Sequence, residues 1–308
     1  MRVMVKVLLC HNPNAGNKGH DRDSLEAALK LAGFDVRYAS VKDEKFADAF
    51  DKSVDLIVAA GGDGTIATVL TTIPDRSIPV ALLPLGTANN FARSLGIAGT
   101  PQELVEMWDP ERTCPVSLGS VTGHWGTSLL LEAYGVGVFP QFLLDARKGK
   151  KPEGADNLRQ GRTLLQKALK RAKPIEIVMT IDGKSHEREV LGIEVCNIAF
   201  TGPGLPIAAT ADVSDDKLDV VLFETDNRKA LMEWVEAPQD DKPPVTNRKG
   251  AKVEITFRDA PTRLDDASYE ATGGKHSIDV TLEEIPLNVV IPVKHPAQKT
   301  PEKKATAA

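Results

Sequence analysis

Residues Leu56 to Ala60 are five apolar side chains without alternation, followed at once by Gly61-Gly62-Asp63-Gly64-Thr65 and then by a helix-like run to Thr72. A short continuous apolar strand suits a sheet covered on both faces, and a helix directly after it belongs to the crossover that joins parallel strands. Three glycines at such a turn let the backbone take unusual φ values and come close to a ligand. The first amides of the following helix point outward with no acceptor of their own, so the turn suits a phosphate. The same letters also suit a Gly/Asp turn that merely reverses the chain. Asp63 is at odds with a phosphate unless a cation stands between them, for which magnesium is the natural candidate.

The first third of the chain repeats this alternation. Val3 to Cys10, Phe34 to Ala39 and Val80 to Leu83 read as further strands, and His11 to His20 as a loop. The helix after that loop is capped by Asp23 or Ser24, carries an apolar face of Leu25, Ala28, Leu29 and Ala32, and closes at Gly33. Lys42 to Phe50, Gly64 to Thr72, Thr87 to Leu95 and Thr100 to Trp108 read as helices, the last with Pro101 at its first position and Glu103 completing a capping pattern. After about residue 112 the pattern changes to strands separated by turn residues: Cys114 to Val121, Gly126 to Glu132, Ile175 to Ile181, Glu187 to Val195, Leu218 to Phe223, Val253 to Phe257 and Ile278 to Leu282. Two helices, Asp156 to Ala172 and Asn227 to Val235, interrupt them. The expectation is an α/β nucleotide-binding domain of Rossmann-like type over 1–112, followed by an antiparallel β-sandwich or open barrel over 113–294 whose last strand returns to the first domain. A disordered tail is expected over 295–308, where prolines, lysines and alanines show no apolar periodicity.

Composition narrows the functional classes. With 38 Lys+Arg against 43 Asp+Glu, the net charge of -5 argues against coating nucleic acid by bulk electrostatics. Cys10, Cys114 and Cys196 are widely spaced and form neither a disulfide framework nor a zinc knuckle, so reduced thiols in a cytoplasmic protein are expected. No apolar run reaches the roughly 20 residues of a membrane-spanning helix. The six histidines show no metal spacing, and no G-x-S-x-G is present.

Two more Gly-containing loops follow strands of the first sheet: Asn12-Pro13-Asn14-Ala15-Gly16, and Pro84-Leu85-Gly86-Thr87-Ala88-Asn89-Asn90-Phe91-Ala92-Arg93. Ligands of open α/β sheets bind beyond the carboxyl ends of the strands, so all three loops should meet in one crevice. Thr87 would cap its helix and present its hydroxyl and amide to a phosphate from the same position.

In this order and spacing, N-P-x-x-G, G-G-D-G-T and L-P-x-G-T-A-N-x-F-A-R closely resemble the diacylglycerol kinase catalytic domain family, which includes bacterial lipid kinases and the sphingosine and ceramide kinases. The likeness runs on through Leu131 to Gly137, Cys196-Asn197, Gly202-Pro203-Gly204-Leu205 and Asp215 to Val220. It implies that ATP phosphorylates a lipid hydroxyl in a cleft between two domains. Asn12, Pro13, Asn14, Ala15, Gly16, Ser40, Gly61, Gly62, Asp63, Gly64, Thr65, Ile66, Ala67, Thr87 and Asn89 would hold the nucleotide. It also implies a structural magnesium on Asp215, with Asp212 and Lys217 as carbonyl donors, a lipid partner met at the inner membrane surface, and a homodimer.

The sequence departs from the family at the catalytic base. The usual D-G-E near the C-terminus is here Asp265-Asp266-Ala267, and the Asp of a V-D-x-G pattern in bacterial relatives is Ser117. Loss of a general base costs about 10²- to 10⁴-fold, a part of a kinase's acceleration. Asp63, Asp265 and Asp266 are therefore the catalytic candidates, with a solvated turn as the alternative for the latter pair. Two other functions stay open: nucleotide or lipid binding with degraded catalysis, and a soluble-substrate kinase of the NAD kinase type. The stretch Asp145 to Pro174 holds ten Lys or Arg against three acids. Its amphipathic helix suits either an anionic bilayer or an ordinary solvated face.

Overall fold

The computed structural model describes residues 4–14, 20–51, 53–148, 157–238 and 242–293. The first part of the chain runs β1 (Lys6–His11), α1 (Arg22–Leu31), β2 (Asp35–Ser40), a 3-10 helix (Phe46–Asp51), β3 (Leu56–Gly61), α2 (Asp63–Thr72), β4 (Val80–Pro84), α3 (Asn90–Ser94), α4 (Pro101–Glu106) and β5 (Thr113–Val116). The second continues with β6 (Gly119–Gly123), β7 (Gly126–Leu130), β8 (Ala133–Gly137), α5 (Val138–Lys148), α6 (Asn157–Arg171), β9 (Ile175–Ile181), β10 (Lys184–Cys196), β11 (Leu218–Glu224) and α7 (Arg228–Glu236). It closes with β12 (Thr246–Gly250), β13 (Val253–Arg258), β14 (Thr262–Leu264), β15 (Ala267–Tyr269), β16 (Lys275–Leu282) and β17 (Leu287–Val290).

The first sheet has the order β2-β1-β3-β4-β17-β5, and β1 to β4 are parallel. Its central strands are buried along almost their whole length, as their unbroken apolar runs require. β17 enters beside β4 and pairs antiparallel with β5, so both lie in this sheet and the chain changes sheets between Val116 and Gly119. The segment read as one strand, Cys114 to Val121, is consequently two strands in two sheets.

Among the described residues, the second sheet has eleven strands. Its main order is β15-β14-β8-β10-β9-β13-β16-β6-β7, with β11 joined to β10 and β12 to β11. It curls around an apolar core that includes Tyr134, Ile193, Val220 and Ile255. The opposite face of β8, β10 and β11 is covered by α5, α6 and α7 through Phe139, Phe142, Leu169 and Leu231. The chain thus has an α/β layer followed by a large antiparallel layer.

Several local expectations change for physical reasons. Asp21, not Asp23 or Ser24, caps α1, because its side chain accepts from the Ser24 amide (2.9 Å) one turn ahead. Lys42 to Phe50 is not an α-helix; its bonds are of the i to i+3 kind and close only a 3-10 turn. Asn89 takes a left-handed conformation (φ 49°) and is itself the residue before α3, so Thr87 does not cap that helix. α5, β8, β12, β14 and β15 were not expected. The tail over 295–308 lies outside the described residues, and no helix among those described is long and apolar enough to cross a membrane.

Candidate functional site

The carboxyl ends of β1, β3 and β4 open onto a polar crevice of about 740 Å³, lined among others by Asn12, Lys42, Gly62, Asp63, Gly64, Thr65, Gly86, Thr87, Asn90, Gly202 and Asp266. Asn12 leaves β1 with its amide bonded to the Ala60 carbonyl (3.2 Å), and its side-chain amide donates to the Thr65 hydroxyl (3.2 Å). The second and third loops meet backbone to backbone. A Cβ on Gly86 would stand 2.6 Å from the Gly62 Cα, and Leu85 donates its amide to the Gly61 carbonyl (2.8 Å). Asn89 shapes the third loop by accepting from the Gly86 amide (2.8 Å) and donating to the Gly86 carbonyl (2.9 Å).

Not every residue expected at the nucleotide lies on this surface. Ile66 is fully buried in the core of the first sheet and Ala67 packs against that core, because the period of α2 turns them away from the crevice. Gly61 is needed for packing, since a Cβ there would meet the Thr65 side chain at 2.5 Å. Ser40 accepts from the Lys42 amide (3.2 Å) through its hydroxyl, and it is the next residues, Val41 and Lys42, that line the crevice. Asn89 acts through the loop. Pro13 and Asn14 are exposed beside it, and Ala15 and Gly16 lie outside the described residues.

Asp63 opens α2, and its Oδ1 accepts from the Phe91 amide (3.1 Å), which ties the second loop to the third. Burial, then the charge of Glu132, raises its carboxyl to about 7, against the pull of the Phe91 and Asn90 amides. Asp265 and Asp266 face opposite ways. Asp265, in a left-handed conformation (φ 49°), turns inward, where its oxygens accept from the amides of Leu131 (3.0 Å), Glu132 (2.7 Å) and Ala133 (3.2 Å). Burial raises it to about 6 even so. Asp266 lines the crevice, with its Oδ2 3.2 Å from where a Cβ on Gly64 would stand, and burial followed by the Glu132 charge raises its carboxyl.

The crevice continues into a second hollow of about 600 Å³, with which it shares Thr87, Gly202 and Asp266. Here apolar side chains enter the wall, Phe142, Leu143 and Ala146 from α5, Leu158 and Leu164 from α6, and Pro203, with Asp145, Asn157, Gln160, Thr163 and Lys167 among them.

Residues 6–121 match the diacylglycerol kinase catalytic domain, and residues 157–280 match the YegS C-terminal NAD kinase beta sandwich-like domain. The chain thus carries a diacylglycerol kinase catalytic domain over residues 6–121. Similar curated proteins are a "Diacylglycerol kinase" of Mycobacterium tuberculosis, 27% identical over 68% of this chain and 65% of that one, and a "Probable lipid kinase YegS-like" of Stenotrophomonas maltophilia, 30% identical over 58% and 59%. The matches thus span somewhat under two thirds of these relatives' lengths. Among solved structures, a putative diacylglycerol kinase from Bacillus anthracis shares the fold over 96% of this chain and 99% of that one, at a TM-score of 0.71 and 19% identity. An NAD kinase from Archaeoglobus fulgidus in complex with ATP shares it more distantly, over 94% of each chain, at a TM-score of 0.52 and 16% identity.

Against this family pattern, Ser117 is buried at the change of sheets, its carbonyl accepting from the Asn197 side chain (2.9 Å). Ala267 starts β15 directly opposite Leu264. In their place the chain has a buried charge network that its sequence did not reveal. Arg263, 1% exposed, donates to Glu194 Oε2 (2.7 Å), Glu132 Oε1 (3.3 Å), the Thr201 hydroxyl (2.6 Å) and the Asp265 carbonyl (2.9 Å). Glu132 also accepts from the Gly202 amide (3.2 Å) and the Asn90 side chain (3.4 Å), and bonds the Thr201 hydroxyl. One carboxylate thus joins crevice residues of both layers. The available signal was Glu194 inside the apolar run Leu191 to Cys196.

The expected magnesium ligands do not fit a metal as they stand. Asp215 Oδ2 is taken by the Lys249 ammonium (2.7 Å), its Oδ1 accepts from the Lys217 amide (3.1 Å), and the Asp212 carbonyl accepts from the Asp215 amide (3.2 Å). Among the described residues, no group of three or more His, Cys, Asp or Glu side chains is arranged to hold a metal ion.

Proposed function

We propose that the protein transfers the γ-phosphate of ATP to a hydroxyl of a diacylglycerol-like or sphingoid lipid. The observation that carries this reading is the continuity of a polar, Gly-lined crevice with an apolar groove, joined at Thr87, Gly202 and Asp266. In it, the amides of Gly62, Asp63 and Gly64 at the start of α2 and the amide and hydroxyl of Thr87 receive the nucleotide phosphates, as a helix start with glycines at close approach is suited to do. A magnesium ion carried by the nucleotide would neutralise phosphate charge beside Asp63, whose crowding with Glu132 and Asp266 favours a cation. The acyl chains lie against Phe142, Leu143 and Leu158, which brings the hydroxyl to the junction. There its oxygen attacks the γ-phosphorus, its proton passes to the Asp266 carboxylate, and ADP leaves. Asp265 is a hairpin residue in this scheme.

The presence of two sheets is consistent with this reading, with the nucleotide held by the α/β layer and the lipid by elements of the second. Arg159, Lys167, Lys170 and Lys173 remain exposed on and beyond α6, and Lys167 lines the groove, so this side approaches an anionic bilayer. Arg147 and Arg171 belong to the fold, bonded to the Asp266 carbonyl (2.7 Å) and to Asp145 (2.5 Å). Free Cys10, Cys114 and Cys196 suit a reducing, cytoplasmic setting.

The test is radiolabelled ATP with a panel of lipids in mixed micelles. A phosphorylated lipid that disappears in Asp63→Ala supports the reading. No lipid product at high enzyme, or a product unchanged by Asp63→Ala, overturns it. A second reading, binding with degraded catalysis, rests on Ser117 and Ala267. It predicts that Ser117→Asp with Ala267→Glu creates turnover which the wild type lacks. Transfer to a water-soluble acceptor without any lipid surface would favour the NAD kinase type.

A further inference from the structure

We propose that the ammonium of Lys249 is a built-in substitute for the structural divalent cation that this family's pattern implies at Asp215, so that the loop 210–217 is held without metal. Lys249 and Asp219 stand directly opposite each other in the β11–β12 pairing, which aims both side chains at the same spot. From there the ammonium reaches Asp215 Oδ2 (2.7 Å), the Thr210 carbonyl (2.8 Å) and Asp219 Oδ2 (3.4 Å). Two carboxylates and a carbonyl around one positive centre are the oxygen donors a hard cation takes, and here a lysine is seated among them.

The arrangement is more than a surface ion pair. The Asp219 side chain is 1% exposed, and its Oδ2 has no hydrogen-bond donor beyond this ammonium contact. Its Oδ1 is engaged by Asn247 (2.7 Å) and the Thr210 hydroxyl (3.2 Å). A buried carboxylate without a counter-charge is costly, so a cation is favoured here. The loop it fastens matters beyond itself. Val213 packs into the core of the first sheet, and its carbonyl accepts from the Ser117 amide (3.4 Å), where the chain passes between sheets. Lys249 therefore secures a contact between the two layers. The inference is independent of which substrate the crevice takes.

The experiment uses the full chain without nucleotide. Thermal midpoints are compared in EDTA and in excess magnesium, and Mn²⁺ binding is followed by electron paramagnetic resonance. The wild-type midpoint should be the same in both solutions. Lys249→Met keeps the stem and removes the charge; its midpoint should fall by several degrees in EDTA and recover with magnesium, with one additional Mn²⁺ bound per chain. Lys249→Met with Asp219→Asn removes both charges, and should fold while losing the recovery and the extra Mn²⁺. A wild type that magnesium stabilises as strongly as the variant overturns the proposal. So does a folded Lys249→Met that is indifferent to metal, or one that stays unfolded with magnesium while the double variant folds.

Discussion

Replacing Arg263 by Met tests how the crevice is held together. The side chain is 1% exposed and its guanidinium pairs with Glu194 and Glu132, themselves 0% and 7% exposed. Met fills much of the same volume but leaves Glu194 without its donor and Glu132 without its counter-charge, and removes the donors to Thr201 and the Asp265 carbonyl. Breaking one partner of a buried pair costs about 3–5 kcal/mol. Part of that cost can be avoided by protonation. Burial already raises Glu194 to about 7 while Arg263 holds it down, so without the arginine its folded value rises further above the unfolded value. A raised folded pKa means stability present at low pH and lost as pH rises through that value. The variant should therefore be less stable than wild type by about 3–5 kcal/mol above neutral pH, with the gap narrowing toward pH 5 as the Glu194 carboxyl takes up a proton. Urea unfolding at several pH values reads this directly. A loss below about 1 kcal/mol, or one equal at all pH values, would refute the claim that Arg263 neutralises buried carboxylates. Glu194→Gln added to the variant should return part of the stability.

Other outcomes follow from the crevice. Gly86→Ala should fold yet lose nucleotide affinity at least about tenfold, a 1.4 kcal/mol effect, because its Cβ would force the loop away from the Gly62 Cα at 2.6 Å; unchanged affinity by calorimetry contradicts the backbone contact. Since Asp63 is raised to about 7, kcat/KM for nucleotide should climb with pH through that value as the carboxylate forms, whereas a profile flat from pH 5.5 to 8.5 would count against an ionised Asp63. Asp266→Asn should lower kcat by about 10²- to 10⁴-fold with nucleotide affinity kept, while Asp265→Asn should chiefly lower the thermal midpoint. The reverse pattern would exchange their roles.

The strand–turn–helix of Leu56 to Thr72 was legible because its signal is local: an unbroken apolar strand, glycines, then a helix. The family motifs placed the loops, but carrying a whole motif over also brought in Ile66 and Ala67, which the helical period sends into the core. Asp265 and Asp266 are indistinguishable as letters. They are the two turn residues between Leu264 and Ala267, and the left-handed backbone of Asp265 (φ 49°) belongs to the turn that separates the two carboxylates. β8 and α5 hold Gly135, Gly137 and Pro140, residues that weaken the local signal for a strand or a helix. Gly135 is instead the floor on which the Glu194 carboxylate rests, since a Cβ there would overlap it at 2.0 Å. Nor can sequence show that Lys249, more than thirty positions downstream, stands beside Asp215.

In the proposed mechanism, the loops after β1, β3 and β4 jointly hold a nucleotide's phosphates, with the γ-phosphate turned toward the groove between α5 and α6. A crystal structure with a non-hydrolysable ATP analogue tests this most directly. The predicted result has the phosphates against the Gly62–Gly64 amides and Thr87, and the terminal phosphate within reach of Asp266. A nucleotide bound elsewhere, or one in the crevice whose terminal phosphate points away from the groove, would contradict it.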